Sequence, residues 1–521
     1  MSIASLHRSM SGLLSSKKGL EVTGHNITNV NTTGYTRQQI LHHDNSYLTV
    51  GVNGGFPMQV GTGVQDTEIR QIRNSFLDQQ FRSQNSFLSY YQTQTTVMTE
   101  IETILDEPFG EALSGLLTDF LGQTQKLSSN PENIEERMAF IQSANNLMER
   151  ARQIQDSYTE YQFNLDDQVR TSVKNINEIT DDILEINKQI VAVERTGQNA
   201  NDYRDVRNNL LDELSSYMQI DVVEEADGSV IIHAEGNVLV NGLYKNEILL
   251  EQSAPMSPFK IPVFKDGGNV FNLTKEVNST NANDGASLKA LLIARGNAVA
   301  DAETDWKSIS LNDTKSVSED GNSYIIPELQ KNLDMLMMEI ANIVNGAFDG
   351  EGIGVHEGLQ GVPVFVPIKE NERMTTSNMQ INPELLETGG YNKLGTVSVT
   401  GEVGDNTKVQ ELLAAWNEPK EWYKNKDGSK DINAPVDVTL SIPDFFTQYV
   451  RDVGQKGATA SSRLNEKISV ISSVTNEKFS LTAVSLDEEL ATMMRYQYAY
   501  NASARMVTML DGMIETVLNQ V

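Results

Sequence analysis

The sequence predicts a mainly α protein with a smaller β part. It reads as an elongated, discontinuous multidomain rod whose N- and C-terminal helices pair as a coiled coil, with a central helical bundle and β-rich insertions. Three observations predict this. Apolar residues recur at 3-4 spacing at both ends of the chain. Two long internal tracts, 64–107 and 132–196, contain neither Pro nor Gly. Short β-type runs separated by Gly-containing turns are confined to the middle.

At the N-terminus Ile3, Leu6, Met10, Leu13, Lys17 and Leu20 follow a 3-4-3-4-3 pattern. The pattern dissolves in the Gly24–Gly34 cluster, which should end the helix in a fixed turn, because Asn and Gly tolerate left-handed geometry. Residues 51–63 are Gly-rich and read as a linker. The tract 132–196 opens at Asn130-Pro131-Glu132, and Ile176, Ile179, Ile183, Ile186, Ile190 and Val193 make a bundle or coiled-coil seam.

The texture changes near residue 219. Ile220–Val223, Val230–His233 and Val238–Val240 predict a small antiparallel β region extending to about 285. Helical pattern returns at Ala286–Arg295 and Pro327–Phe348, a Gly-rich irregular stretch covers 349–405, and 417–442 is polar loop. No Pro follows Pro443. Along the tail, steps of 4-3 from Leu486 reach Leu490, Met493, Gln497, Tyr500, Ala504, Val507, Asp511, Ile514, Leu518 and Val521, so an apolar seam runs to the last residue. As one helix this tail would span about 54 Å. Core-forming helices thus return after a long excursion, which predicts a nested division. Residues 1–57 and 486–521 form a terminal helical polymerisation domain. Residues 58–218, 286–348 and 406–485 form a helical-bundle domain, and 219–285 with 349–405 an outer β-rich and loop region.

Composition narrows the function. The 521 residues carry 41 Lys+Arg against 71 Asp+Glu, a formal net charge of -30. Such a polyanion is a poor partner for nucleic acid or an anionic membrane. There is no cysteine, hence no disulfide, thiolate site or Cys nucleophile. No apolar run approaches the roughly 20 residues of a membrane span, and the N-terminus lacks a signal-peptide core. The ends are oppositely charged: Arg8, Lys17, Lys18 and Arg37 against Glu21 in residues 1–40, and Arg495 and Arg505 against Asp487, Glu488, Glu489, Asp511 and Glu515 in 486–521. That suits terminal helices lying side by side.

No catalytic, cofactor or metal constellation emerges, and the chain reads as a non-enzyme. The histidines are His7, His25, His42, His43, His233 and His356, and none has metal-ligand spacing beyond the adjacent His42-His43 pair, which reads as solvated. The loop Gly350-Glu351-Gly352-Ile353-Gly354 lacks the ending of a phosphate loop. The acidic pairs Asp166-Asp167, Asp181-Asp182 and Glu224-Glu225 fit solvated faces. Tyr496 and Tyr500 fit packing on protein.

What remains is the terminal seam. Two lone helices cannot bury such stripes, so the ends should be partly disordered in a monomer and order when neighbours supply the missing surface. The candidate assembly interface is Ile3, Leu6, Met10, Leu13 and Leu20 at one end. At the other it is Leu486, Leu490, Met493, Tyr500, Ala504 and Val507, then Ile514, Leu518 and Val521. The candidate helix-ending turn uses Asn26, Asn29, Asn31, Gly34, Tyr35 and Arg37.

The stretch Asn26-Ile27-Thr28-Asn29-Val30-Asn31-Thr32-Thr33-Gly34-Tyr35-Thr36-Arg37-Gln38 resembles the motif shared by axial proteins of the bacterial flagellum, the rod, hook and hook-associated family. Its Gly-Tyr-Thr-Arg-Gln ending is similar to hook-associated members; hook and rod members usually have Phe after the Gly. The tail agrees, through Ser485-Leu486-Asp487-Glu488-Glu489-Leu490 and Tyr496-Gln497-Tyr498-Ala499-Tyr500-Asn501-Ala502-Ser503-Ala504. So do Gly61-Thr62-Gly63-Val64, Ile69-Arg70, Phe76-Leu77, and Asn130-Pro131-Glu132 with Arg137. Residues 219–285 and 351–440 match nothing specific.

The resemblance implies an extracellular structural component, an adaptor at the hook–filament junction that self-assembles through its terminal helices. It would be exported through the flagellar type III channel without a cleaved signal peptide. The partners implied are other copies of itself, hook protein, a neighbouring hook-associated protein on the filament side, and an export chaperone for the C-terminal helix. The alternatives are another axial protein, such as hook protein, or a non-flagellar coiled-coil scaffold.

Overall fold

The computed structural model describes residues 3–53, 56–105, 112–252, 257–273, 277, 285–301, 324–348, 352–354, 360–370, 372–398, 404–422 and 438–520. Helix α1 (Ile3–Thr28) leads to strands β1 (Gln38–Asp44), β2 (Tyr47–Asn53), β3 (Phe56–Gly61) and β4 (Val64–Gln71). Then come α2 (Ser75–Leu105), α3 (Leu113–Ser129), α4 (Ile134–Glu194) and α5 (Asn201–Tyr217). Strands β5 (Ile220–Glu224), β6 (Val230–Ala234), β7 (Asn237–Asn241), β8 (Tyr244–Lys245), β9 (Ile248–Gln252) and β10 (Lys260–Phe264) follow. They precede α6 (Ser287–Arg295) and α7 (Ile325–Phe348). Short pieces β11 (Gly352–Ile353), β12 (Phe365–Pro367), β13 (Met379–Ile381), α8 (Pro383–Leu386) and β14 (Val397–Ser398) precede α9 (Thr407–Asn417), β15 (Lys420–Trp422) and β16 (Val438–Leu440). The chain ends in α10 (Ile442–Thr482) and α11 (Leu486–Gln520). The fold is mainly α with small antiparallel sheets, and α1 packs on α11.

The chain forms two compact units. The first gathers Met1–Asn85, Ile176–Glu247 and Ile468–Val521; the second, Ser86–Asn175 and Ile248–Lys467. Residues 58–85, 176–247 and 468–485 therefore group with the chain ends.

In the first unit β1 and β4 pair antiparallel, from Gln38 opposite Gln71 to Asp44 opposite Val64, with a register shift after Leu41. Residues 64–71, placed by the sequence reading at the head of a long helix, are strand. Eight residues without Gly or Pro satisfy either geometry, and the pairing with β1 decides between them. Residues 51–63 are no linker either: β2 and β3 form a hairpin from Tyr47 opposite Gly61 to Asn53 opposite Phe56. The four-stranded sheet β5-β6-β7-β8 is a meander, as the turn spacing predicts. Ile176, Ile183 and Ile190 of the predicted α4 seam are fully buried, with Leu214, Ile232, Leu239 and Val240. A buried polar pair sits within this apolar layer. Arg207 Nη1 donates to Gly228 O (2.6 Å) and Asn187 Oδ1 (3.2 Å), while Asn187 Nδ2 donates to Gly242 O (3.1 Å). Burial pulls the Arg207 guanidinium down to about 10.

The second unit is built on aromatic packing. Phe120 lies 5.2 Å from Phe140 and 5.4 Å from Trp416, and Phe140 lies 5.5 Å from Phe348, measured between ring centroids. All four are buried. Arg137, in the first turn of α4, is fully buried. It donates to Pro131 O (2.6 Å), Leu394 O (2.9 Å), Tyr391 O (3.2 Å) and Thr396 Oγ1. Asp166 and Arg295 form a buried ion pair.

Candidate assembly interface

Helices α1 and α11 run antiparallel in heptad register. A β-carbon on Gly12 would lie 3.2 Å from Ser503 Oγ, and one on Gly19 would lie 2.5 Å from the Tyr496 ring. Asn26 Nδ2 donates to Glu489 Oε2 (3.1 Å). Each pair lies seven residues from the next on both helices, the period that keeps one seam facing its partner. The α1 face is made of small residues. Ser9, Ser16 and Thr23 hydroxyls donate back to Ser5 O (3.1 Å), Gly12 O (2.7 Å) and Gly19 O (2.8 Å), which satisfies them without a partner from α11. On α11 the facing stripe is Glu489, Met493, Tyr496, Tyr500, Ser503, Val507 and Leu510, all buried or half-buried.

This face differs from the apolar seam expected at the N-terminus. Leu6, Leu13 and Leu20 are half-buried, and Met10 is 53% exposed. The expected tail seam divides. Met493, Tyr500, Ala504 and Val507 are half-buried, whereas Leu486, Leu490 and Ile514 are exposed. Ile3 and Leu518 fall within the helices, but their side chains lie outside the described residues, as does Val521. Leu14 of α1 and Met494, Tyr498, Met506, Met509 and Met513 of α11 are also exposed. The sequence reading passed over Gly12, Gly19 and Tyr496. The signal was present in Ser5, Ser9, Gly12, Ser16, Gly19 and Thr23, small residues at 4-3-4-3-4 spacing.

The helix-ending turn lies within the cluster that predicts it, but α1 continues through Gly24 to Thr28. Thr28 Oγ1 donates to Gly24 O (2.9 Å) and Asn29 Nδ2 to His25 O (3.0 Å), tying the last turn to itself. Gly34 closes the turn at φ +77°. Asn31 is exposed. Asn26 is the hub: its Nδ2 also donates to Gln38 O (2.9 Å), and its Oδ1 accepts from Gln38 N (3.0 Å) and Tyr35 Oη (2.8 Å). Burial, with the carboxylates of Asp202, Asp205 and Glu489 nearby, pushes the Tyr35 phenol well up.

Arg37 joins this hub to the start of α11. Its Nε donates to Glu489 Oε1 (2.7 Å), its Nη1 to Glu488 Oε2 (3.1 Å), and its backbone N to Thr482 O (3.0 Å) at the end of α10. The turn therefore spans the break at residues 483–485, between α10 and α11. Thr36 N donates to Asp205 Oδ2 (3.1 Å) of α5, and from there charges alternate inward. Arg73 reaches Asp205 and Asp78, Lys478 bridges Asp78 (3.1 Å) and Asp212 (2.8 Å), and Arg82 reaches Asp212 (2.8 Å). Burial alone would raise the Asp78 carboxyl. The Arg73 hydrogen bond and the charges of Arg73, Lys478 and Arg82 outweigh it and hold the group below its usual range. Asp205 goes the other way, because burial dominates.

His42 of β1 touches both terminal helices, through Ser15 Oγ (3.1 Å) and Tyr496 Oη (3.3 Å). Its neighbour His43 is exposed, and no group of three metal-ligating side chains occurs among the described residues.

The model of the flagellar hook-associated protein FlgK helical domain matches residues 98–365. The flagellar basal body rod FlgEFG protein C-terminal model matches 481–521, which includes α11. The chain is 27% identical over 514 residues to flagellar hook-associated protein 1 of Bacillus subtilis, covering 97% of this chain and 96% of that one. It is 24% identical over 576 residues to flagellar hook-associated protein 1 of Salmonella typhimurium, covering 99% of each. The solved structure of the flagellar hook junction protein FlgK from Burkholderia pseudomallei shares the fold, with a TM-score of 0.56 at 11% identity, covering 78% of this chain and 100% of that one.

Proposed function

This chain belongs to the family of the flagellar hook-associated protein FlgK helical domain, and on that premise we propose that its terminal helix pair is the element through which copies assemble. The chain is a structural component of the bacterial flagellum, at the hook–filament junction, and associates with other axial components.

The observation that carries the assembly reading is the residue set left uncovered when α1 and α11 pair. Met10 and Leu14 on one helix, and Leu490, Met494, Met506, Met509, Met513 and Ile514 on the other, keep their side chains in water. Each such side chain, once buried, contributes on the order of 1.5–3 kcal/mol, so a handful of contacts from neighbouring copies outweighs the cost of ordering them. The heptad pair sets the spacing of these stripes, and the Arg37–Glu489 contact sets the angle of α11 to α10. Copies of this chain complete the stripes laterally, with hook protein on one side and a further hook-associated protein on the filament side. Before export, α11 is the helix-in-groove ligand of a chaperone. The chain then passes through the type III channel with its N-terminus uncleaved and works outside the cell. Its role is structural rather than catalytic.

The test replaces Met509, 56% exposed, by Asp. Thermal melting of the subunit stays within about 0.5 kcal/mol of the parent. Incorporation into the junction, and filament attachment with it, is lost. Equal loss of both would place Met509 in the subunit's own core, and intact incorporation would remove the outer stripe from the assembly.

A further inference from the structure

We propose that the cleft beside β5 in the first unit docks an extended acidic segment of a partner polypeptide, added as a strand to the free edge of β5. The cleft has a volume of about 960 Å³, and all five residues of β5 line it. β5 is an edge strand, with β6 on one side and no further strand on the other among the described residues. Such an edge presents a row of backbone donors and acceptors.

The side chains around the edge choose the occupant. Arg70 is exposed at the cleft wall, and its side chain has no ion-pair or hydrogen-bond partner among the described residues. Arg207, 2% exposed, lines the same cleft; its Nη1 and Nη2 are engaged by Gly228, Asn187 and Glu224, and its buried Nε has no partner. One unpaired guanidinium, and a partnerless Nε on a buried one, in a cleft of a chain with net charge -30 favour an anionic ligand. Five arginines line the cleft against four acids. Glu224 pairs with Arg204 (2.6 Å) and Arg207 (3.8 Å), and Asp78 is held by Arg73, while Asp221 and Glu68 accept from the neutral amides of Gln79 (2.9 Å) and Asn199 (3.1 Å) and keep their charge. Between the charges Phe76 is 67% and Val223 50% exposed. A free backbone edge, the unpaired Arg70 and exposed apolar side chains together fit a strand that alternates Asp or Glu with Val or Ile. A small anion would use only the cations.

The probe is a fluorescein-labelled peptide of alternating Glu and Val, read by anisotropy against the full chain at low salt. Binding is expected, weakened at least tenfold by Arg70→Glu and by N-methylation of alternate peptide nitrogens in one of the two phases. Arg70→Lys should retain part of it. Arg70 is exposed, so the variants should melt like the parent chain. Equal binding of both methylated peptides would reduce the contact to bare charge and overturn strand addition. Displacement by an equal concentration of inorganic phosphate would make the cleft a simple anion site. A loss of self-association in Arg70→Glu with peptide binding unchanged would assign the cleft to a second copy. Each of these three results rejects the proposal.

Discussion

A β-carbon on Gly19 would stand 2.5 Å from the ring of Tyr496, closer than side-chain carbons approach without something moving. Gly19 therefore lets the backbone of α1 come down onto a tyrosine ring, and the Ser and Gly face on either side allows the approach to continue along the pair. Tyr496 is not free to swing away, since its hydroxyl meets His42 Nε2 at 3.3 Å.

Gly19→Val should therefore separate the terminal helices. The expected cost is about 1–3 kcal/mol, the range of overpacked contacts, with Gly19→Ala milder. Limited proteolysis should show faster cutting within 3–28 and 486–520. Tyr496→Ala in the same chain should restore part of the protection. Unchanged protection in Gly19→Val would mean that the ring has room.

Gly34→Val combines two faults. The φ of +77° is strained for a β-branched residue, and a β-carbon there would run into the side-chain amide of Asn209. Urea denaturation should show a loss of more than about 2 kcal/mol, the scale of a left-handed residue plus a clash. Asn209→Ala should relieve the clash and leave the backbone cost. Full rescue would mean that the backbone cost is negligible.

Acid should weaken the first unit through Asp78. Its folded carboxyl titrates below the unfolded one, so its stabilisation is present above about pH 4 and is lost as the pH falls through the folded value. Asp78→Asn should destabilise the chain at pH 7, where Arg73 and Lys478 each lose one of two carboxylate partners. Below the folded value of Asp78 the difference should shrink toward nothing. Asp205, with its carboxyl raised, contributes with the opposite sign, so Asp205→Asn should lose less at pH 7 than Asp78→Asn. Denaturant curves at pH 7 and pH 3 would check both, and a constant Asp78→Asn deficit across that range would contradict the linkage.

In the second unit Arg137→Met leaves the carbonyls of Pro131, Tyr391 and Leu394 without their donor. A cost of about 3 kcal/mol or more is expected by urea denaturation. Arg137→Lys should not rescue it, because one ammonium cannot reach three carbonyls laid out for a planar fork.

The sequence was most legible where a period repeats. Ile176, Ile183 and Ile190 are buried as their spacing predicts, and Val230–Ala234 and Asn237–Asn241 pair as their turns predict. The Asn-rich cluster does hold the helix-ending turn, and Gly34 has the positive φ its place there suggests. Residues 51–71 misled because their strands are stabilised by partners in the sheet, which no local pattern encodes. The terminal contact misled because leucines outrank serines in any hydrophobic reading. A pair that packs closely uses its smallest residues and leaves the larger ones outside.

By itself the sequence determined the helical ends, the turn at Gly34, the central strands and the likeness to flagellar axial proteins, because periodicity and turn chemistry are local properties. Only the tertiary structure decided which face of α1 meets α11, that Arg37 reaches across to Glu489, and that β5 has a strand on one side only among the described residues. These depend on residues hundreds of positions apart arriving at one place, and close approach there is decided by side-chain volume, which hydrophobic spacing does not record.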